Sequence, residues 1–479
     1  MIRASYLCAG LLGLLFTACV GTPVCRVDLA RPLPPIAWRE FFVDPDLAAL
    51  LEVALAANLD ARVALQRIEA ARAQYEAAGG ALLPTVGAVA DGGIRRFGLY
   101  TMDGAGNLGV PLYRGREIPR NLPDFRIGLQ ASWEIDLWGR LGAERDAAFH
   151  RLLATEEMAA LVRTELCAKV AELYYDLLAK DAESRVLTDT IALQRRSLEA
   201  VGLQRAVGAV NELTRQQFEV QLRSLEAEQA RVRIEIAALE AAVNSLCGRM
   251  PQPVQRGAVP LDRATLPSLA TGVAPELLRN RPDVRAAELE LAAAAADLEA
   301  ARAAFWPRLS IDGLIGVQAF RADLLADRRS TTYGLVGGLV APIWNRAALE
   351  AEFAGATAAE LAALFTFQQV VTDATLELHN LLATLRLLED VRTAQLQQVA
   401  TAERSIGVAA ELFRAGRATF VEVLGVQQAS LQARLGLVQV ERDRLRGTVA
   451  LYRALGGGAE ADPEPAAGSE AVGDPGDGR

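Results

Sequence analysis

The chain has 479 residues, 51% of them hydrophobic and only 6% aromatic, and alanine and leucine make up much of the apolar share. The formal net charge is −9, of which the stretch after residue 458 holds −5, so −4 remains for the rest. A body with no basic surface cannot displace counterions from phosphates, which argues against a nucleic-acid partner.

The first 18 residues have the pattern of an export signal, with Arg3 ahead of an apolar stretch from Leu7 to Ala18. The stretch is too short to cross a bilayer as a helix, so we expect residues 1–18 to be removed. Residues 16–19 resemble the lipobox of bacterial lipoproteins. The resemblance implies that Cys19 is acylated; the alternative is plain cleavage near Ala18.

Motifs of enzyme chemistry are missing from the sequence. There is no Walker loop, no His-Glu-x-x-His and no nucleophile elbow, and the cysteines lack metal-ligand spacing. Glu134 and Asp136 share one strand face and could be an acid and base pair, but solvated carboxylates are the simpler interpretation. We therefore predict no catalytic site, no metal site and no cofactor.

The chain repeats one plan twice. A shift of 223 residues places Asp60-Ala61-Arg62 on Asp283-Val284-Arg285 without a gap, and a shift of 208 places Leu246-Cys247-Gly248 on Ala454-Leu455-Gly456. Each copy predicts a helix, two strands and two very long helices.

The long helices are predicted from tracts without proline and from apolar residues spaced by three, four or seven. In the first copy such a seam runs from Leu222 to Leu246, and in the second from Leu424 to Tyr452. This spacing is typical of coiled coils. About 65 residues from Leu141 to Arg205 would span on the order of 100 Å as one helix.

The strands are predicted from period-two alternation, which is clearest between Asp124 and Leu137. Four strands can cross a bilayer but cannot close a barrel, so several chains must share one, or the strands form a soluble sandwich. Asp124, Arg126 and Gln130 lie on the polar face and are predicted to line a water-filled pore.

These patterns predict a domain plan. Its parts are a signal peptide at 1–18, a lipidated segment at 19–48, a first repeat at 49–250, a linker at 251–271, a second repeat at 272–458 and a disordered acidic tail at 459–479. Strands are expected at about 84–98, 122–138, 307–320 and 330–344, and long helical hairpins at about 141–248 and 346–456.

Several ordered motifs are similar to those of the TolC-type outer-membrane efflux proteins, in particular the lipoprotein branch that serves resistance-nodulation-division pumps. They are residues 38–42, Trp133 to Arg140, Arg281-Pro282-Asp283-Val284, Pro342-Ile343-Trp344 and residues 452–457. The resemblance covers about Leu33 to Gly458. It implies a mainly α-helical homotrimer with a twelve-stranded outer-membrane β-barrel, four strands per chain, continued by a periplasmic α-helical barrel.

The function implied by this resemblance is a passive exit duct for small molecules, which works with a periplasmic adaptor and an inner-membrane pump. Two alternatives stay open: the duct of an ABC-driven type I protein secretion system, and a periplasmic adaptor lipoprotein. The resemblance also implies adaptor contact at the hairpin tips, at Val207 and Gly208 and at Ala415 and Gly416.

The same resemblance implies a periplasmic gate after the second tip. Val421 matches an apolar constriction residue, and Glu422 matches an acidic position that would form a ring of three carboxylates. Gly425 stands where an aspartate is common, so Glu422 carries the negative charge alone. The alternative is that Glu422 is a solvated helix carboxylate.

Overall fold

The structure is a computed structural model, and it describes residues 37–107, 110–112, 116–206, 210–257, 261, 279–344 and 346–457. The described residues divide into two compact units, one drawn from 70–153 and 288–365 and the other from 37–69, 154–287 and 366–457. Cys19, Val207 and Gly208 lie outside the described residues.

The first unit contains an antiparallel four-stranded sheet with the strand order β1-β4-β5-β6. Its strands are β1 (Thr85–Arg95), β4 (Leu122–Ile135), β5 (Arg308–Ala319) and β6 (Thr331–Val340). The loop between β1 and β4 contains helix α4 (Met102–Gly106) and the short strands β2 (Pro111–Leu112) and β3 (Arg116–Glu117). The four strands of the sheet are those that the alternation predicts.

The long helices form two hairpins. The first consists of α5 (Arg140–Ala206) and α6 (Glu212–Leu246), and the second of α8 (Ala347–Arg414) and α9 (Phe420–Ala454). The 67 residues of α5 correspond to about 100 Å of helix. Among the described helices, none has both the length and the apolar composition to span a membrane.

The shorter helices are α1 (Trp38–Phe41), α2 (Pro45–Ala57), α3 (Leu59–Gly80) and α7 (Pro282–Ala303). Helices α3 and α7 both have 22 residues, and α6 and α9 both have 35. Helices α6 and α9 end alike, because Gly248 and Gly456 adopt positive φ angles that allow the chain to leave each helix. The predicted two-fold repeat is therefore confirmed.

The main core belongs to the second unit. Trp38, Phe41 and Phe42 pack with Tyr452, whose ring lies 4.9 Å from that of Phe41. Asp44 caps α2 and accepts a hydrogen bond from the Tyr174 hydroxyl at 2.9 Å. The segment at the start of the described chain is therefore bound tightly to the long helices.

The predicted seam residues of the hairpins are buried or half-buried where helices pack. Leu222, Leu225 and Val232 of α6 form one cluster with Leu187 of α5 and Leu431 of α9. Burial of such a stripe, rather than helix propensity, holds helices of this length together.

Candidate channel surface and periplasmic gate

The sheet has one polar and one apolar face, since side chains alternate along each strand and the register keeps equivalent residues level. Asp124, Arg126 and Gln130 of β4 share the polar face. Opposite them stand Gly93, Asp91 and Gly87 of β1 and Gln318 and Leu314 of β5. The structure thus brings the three predicted pore-lining residues together on one surface.

Ion pairs and hydrogen bonds connect the strands across the polar face. Arg126 Nε donates to Asp91 Oδ2 at 2.9 Å. Asp124 accepts a hydrogen bond from Gln318 Nε2 at 2.8 Å and lies 3.4 Å from the Arg95 guanidinium. Such exposed cross-strand pairs contribute only about 0.2 to 1 kcal/mol each, so their main effect is to fix polar groups in place.

Sequence reasoning missed several members of this surface. Asp91, Arg95, Asp312 and Gln318 lie on the polar face, and Asp312 accepts a hydrogen bond from the Ser132 hydroxyl at 2.8 Å. Strands β1 and β5 are rich in glycine, which weakens their alternation. The charged side chains of these strands could have identified their polar face, since charges rarely face lipid.

A glycine pair allows β4 and β5 to approach closely. Gly128 and Gly316 stand opposite each other. A Cβ on Gly128 would lie 2.6 Å from the carbonyl oxygen of Ile315, and one on Gly316 would meet the carbonyl oxygen of Ile127. Only glycine fits at either position without moving the partner strand.

The apolar face of the sheet is largely uncovered. Large hydrophobic side chains there are half to four-fifths exposed, which is unusual for a sheet that packs in a soluble domain. They are Val86, Ile94, Ile127, Leu129, Ile315, Tyr333, Leu335 and Leu339. A surface of this kind fits lipid.

Trp133 belongs to the apolar face but lies near the end of β4, two residues before Ile135. Its indole Nε1 donates to the carbonyl oxygen of Leu82 at 2.9 Å. A tryptophan with one apolar side and one satisfied polar atom is typical of the membrane interface.

Glu134 and Asp136 have structural partners. Glu134 accepts a hydrogen bond from Arg140 at 2.7 Å, while Asp136 accepts hydrogen bonds from the backbone N–H groups of Leu141 and Gly142 at the start of α5. Within the described residues, no three histidine, cysteine or acidic side chains are grouped to hold a metal ion. The contacts of Glu134 and Asp136 connect the end of β4 to the first turn of α5.

The tip of the second hairpin is a Schellman turn. Gly416 has φ +69°, and the Arg417 N–H donates to the Leu412 carbonyl oxygen at 2.8 Å. Ala415 and Gly416 are exposed and follow the last residue of α8. Both residues are thus available at the surface of the tip.

Glu422 takes part in a capping box at the start of α9. Its carboxylate accepts hydrogen bonds from the Thr419 N–H at 2.6 Å and the Thr419 hydroxyl at 2.9 Å, and its own N–H donates to that hydroxyl at 3.3 Å. These donors, the backbone N–H first, hold the pKa of Glu422 below its ordinary value. Sequence reasoning missed this role, although Thr-x-x-Glu before a helix is its usual signature.

Val421, Glu422 and Gly425 form one exposed strip on α9. Val421 is 60% exposed, and a Cβ added to Gly425 would meet no atom within 4 Å. Residues spaced by three and four lie on one side of a helix. The apolar side chain of Val421 and the carboxylate of Glu422 therefore lie next to a position, Gly425, where no side chain fills the space.

Arg281 joins the start of α7 to the second hairpin. It donates to Glu377 at 2.8 Å and to Asp283 at 2.8 Å, and Arg453 also reaches Glu377, at 2.5 Å. Burial acts to raise the pKa values of Asp283 and Glu377, but the neighbouring arginines overcome burial and hold both values below the ordinary range. This network ties the Arg-Pro-Asp-Val motif to α8 and α9.

The family model described as "Outer membrane efflux protein" matches residues 50–249 and 273–457. The chain is 31% identical over 440 residues to the pyoverdine export outer membrane protein OpmQ of Pseudomonas putida, with 90% of each chain covered.

A second relative is the cation efflux system protein CusC of Escherichia coli, at 28% identity with 90% of this chain and 91% of CusC covered. Among solved structures, the open state of the Neisseria gonorrhoeae MtrE outer membrane channel superposes with a TM-score of 0.78 at 25% identity. That alignment covers 88% of this chain and 92% of MtrE.

Proposed function

The chain belongs to the outer membrane efflux protein family, and on that premise we propose that it is a lipid-anchored, passive duct whose periplasmic mouth is gated by Val421 and Glu422. The chain is the outer-membrane channel of a tripartite efflux system and extends into the periplasm. Three copies share a twelve-stranded barrel, and the trimer works with a periplasmic adaptor and an inner-membrane pump.

The two faces of the sheet support an assignment of lipid and lumen. The apolar face, which includes Leu129 and Ile315, contacts the hydrocarbon, and the polar face, with Asp124, Arg126 and Gln130, lines the water-filled passage. Two pairs of opposite charge join neighbouring strands on the polar face, Arg95 with Asp124 and Arg126 with Asp91. A passage with paired charges does not strongly favour cations or anions, so selectivity is assigned to the periplasmic end.

The proposed cargo is a small molecule or ion. The names of related proteins refer to export of pyoverdine, of cations and of toluene, and none of these is a protein. Co-purification tests this choice. Recovery of a resistance-nodulation-division pump with the tagged chain supports it, whereas recovery of an ABC transporter favours type I protein secretion.

The gate proposal rests on the exposed strip beside the second hairpin tip. Three chains would bring three Glu422 carboxylates together around the axis, where they attract cations to the mouth. The capping hydrogen bonds from Thr419 hold each carboxylate in one position and favour its ionised form. Val421, one residue earlier, supplies an apolar group at the same level.

We expect Glu422→Gln to reduce the preference of the closed channel for cations over anions by roughly an order of magnitude and to relieve block by divalent cations from the periplasmic side. Glutamine retains the capping box but carries no charge, so the helix start should survive. Planar-bilayer recordings of the purified trimer measure both quantities. Unchanged selectivity and unchanged block would eliminate the carboxylate ring.

The reciprocal change is Gly425→Asp, which should strengthen cation preference and divalent block. The added side chain meets no neighbour within 4 Å, and aspartate is a slightly better helix former than glycine, so folding should not suffer. Gly425→Asn is the matched control without charge. If both variants conduct alike, a charge at residue 425 does not act on the permeating ions.

The lipid anchor is tested at Cys19. Cys19→Ala should abolish labelling with radioactive palmitate and leave the protein less securely anchored or unprocessed. Labelling is read on immunoprecipitated protein from cells grown with the fatty acid. Cys25→Ala is the control and should label like the parent; palmitate incorporation in Cys19→Ala at the parent level would remove the lipoprotein proposal.

A further inference from the structure

A cluster of two arginines and two phenylalanines lies where β5 and β6 connect to helices α7 and α8. Phe305 and Phe353 pack edge to face with their ring centres 6.1 Å apart. The guanidinium carbon of Arg346 lies 4.7 Å from the centre of the Phe305 ring, and that of Arg302 lies 6.0 Å from the centre of the Phe353 ring. We call these four residues the arginine–aromatic cluster.

The two arginines differ in their partners. Arg302 forms an ion pair with Glu299 of its own helix. Arg346 is exposed, and among the described residues no carboxylate lies within ion-pair distance of it. A guanidinium that rests on an aromatic ring keeps its in-plane N–H donors free, and their geometry matches a phosphate.

The surroundings of the cluster are apolar and exposed. Ile343 is 85% exposed and Trp344 is 92% exposed, and both precede Arg346 in the connection that follows β6. Trp138 and Trp306 stack with ring centres 5.1 Å apart at the same end of the sheet. Tryptophan rings beside arginines are typical of the boundary between hydrocarbon and lipid headgroups.

We propose that the arginine–aromatic cluster binds the headgroup phosphate of an anionic phospholipid in the periplasmic leaflet of the outer membrane. The proposal rests on the proposed assignment of the apolar sheet face to lipid. Helices α7 and α8 join the strands at this end, and the chain extends from the outer membrane into the periplasm, so this end lies at the periplasmic leaflet. Arg346 supplies the charge and the N–H donors. Ile343 and Trp344 supply an apolar surface for the start of the acyl chains.

The test compares the parent trimer with Arg346→Gln and Arg308→Gln in vesicles of phosphatidylethanolamine and phosphatidylglycerol. Arg308 begins β5 at the same end of the sheet, but its position in the strand alternation is that of Ser310 and Asp312 on the polar face. Native mass spectrometry after mild detergent extraction counts the lipids that each trimer retains. Arg346→Gln should bind phosphatidylglycerol about fivefold more weakly, and Arg308→Gln should bind it like the parent.

Equal retention of phosphatidylglycerol by Arg346→Gln and the parent would overturn the proposal. Added inorganic phosphate should not displace the lipid, because the acyl chains contribute to binding; displacement would instead indicate a site for free phosphate. Lipid retention is measured without ion flow, so failure of the gate proposal leaves this result unaffected. A parent trimer that does not insert into vesicles would contradict the membrane assignment itself.

Discussion

Leu129→Arg should prevent stable insertion of the trimer, because it destabilises the membrane-inserted state by about 2 to 4 kcal/mol per chain. Leu129 lies in the middle of β4 on the apolar face, between Ala88 of β1 and Ile315 of β5, and is 52% exposed. An arginine there would place a charge near the centre of the hydrocarbon, and the effect occurs three times in the trimer.

Gln130→Arg is the matched control, since the next residue along the strand faces the polar side. We expect this variant to assemble normally. Heat-modifiable migration of the outer-membrane trimer on gels and the yield of membrane-embedded protein measure the outcome. If Leu129→Arg assembles as well as Gln130→Arg, the assignment of the two sheet faces is wrong.

Arg281→Met should lower the free energy of unfolding by about 3 kcal/mol at neutral pH. The variant leaves Asp283 without its ion-pair partner and Glu377 with Arg453 alone. The Arg281 side chain is only 10% exposed, whereas each carboxylate keeps about a quarter of its surface in solvent, so the expected loss is at the lower end of the range for buried ion pairs.

The loss of stability in Arg281→Met should be large at neutral pH and small in acid. Because the folded-state pKa values of Asp283 and Glu377 lie below the ordinary values, the network stabilises the fold above about pH 4 and loses this effect as the pH falls through the folded-state values. The difference between parent and variant should therefore shrink in acid. Unfolding followed by circular dichroism at neutral and acid pH measures this dependence.

Arg231→Met is the control for loss of a surface ion pair. Arg231 pairs with Glu228 of its own helix and is 72% exposed, so its loss should change stability by no more than about 0.5 kcal/mol. Equal stability of Arg281→Met and Arg231→Met would show that the Arg281 network does not hold the hairpin.

The helices were largely predictable from sequence because their signals are local. Tracts without proline and apolar residues at steps of three and four mark α5, α6, α8 and α9. The shifts of 223 and 208 residues match the observed helices to the residue, since α3 and α7, and α6 and α9, have equal lengths and begin at equivalent positions.

The gate role of Glu422 stays a prediction from family resemblance, whereas its capping role is a structural finding. Family resemblance indicated Glu422, and the structure shows that its carboxylate accepts hydrogen bonds from the N–H group and the hydroxyl of Thr419. The signature was present in the sequence as Thr-Phe-Val-Glu. That signature specifies a local hydrogen-bonding pattern, whereas the family resemblance concerns only the position of the residue.

The amino-acid sequence alone was sufficient for the long helices, the repeat and the polar and apolar sides of β4, because each depends on residues close together along the chain. The partners of Asp124 and Arg126 were decided only by the tertiary structure. Asp124 and Gln318 are 194 residues apart, and they meet only because β4 and β5 pair in one register. A shift of that register by one residue would place Gln318 on the other face, and nothing local in glycine-rich strands specifies which register forms.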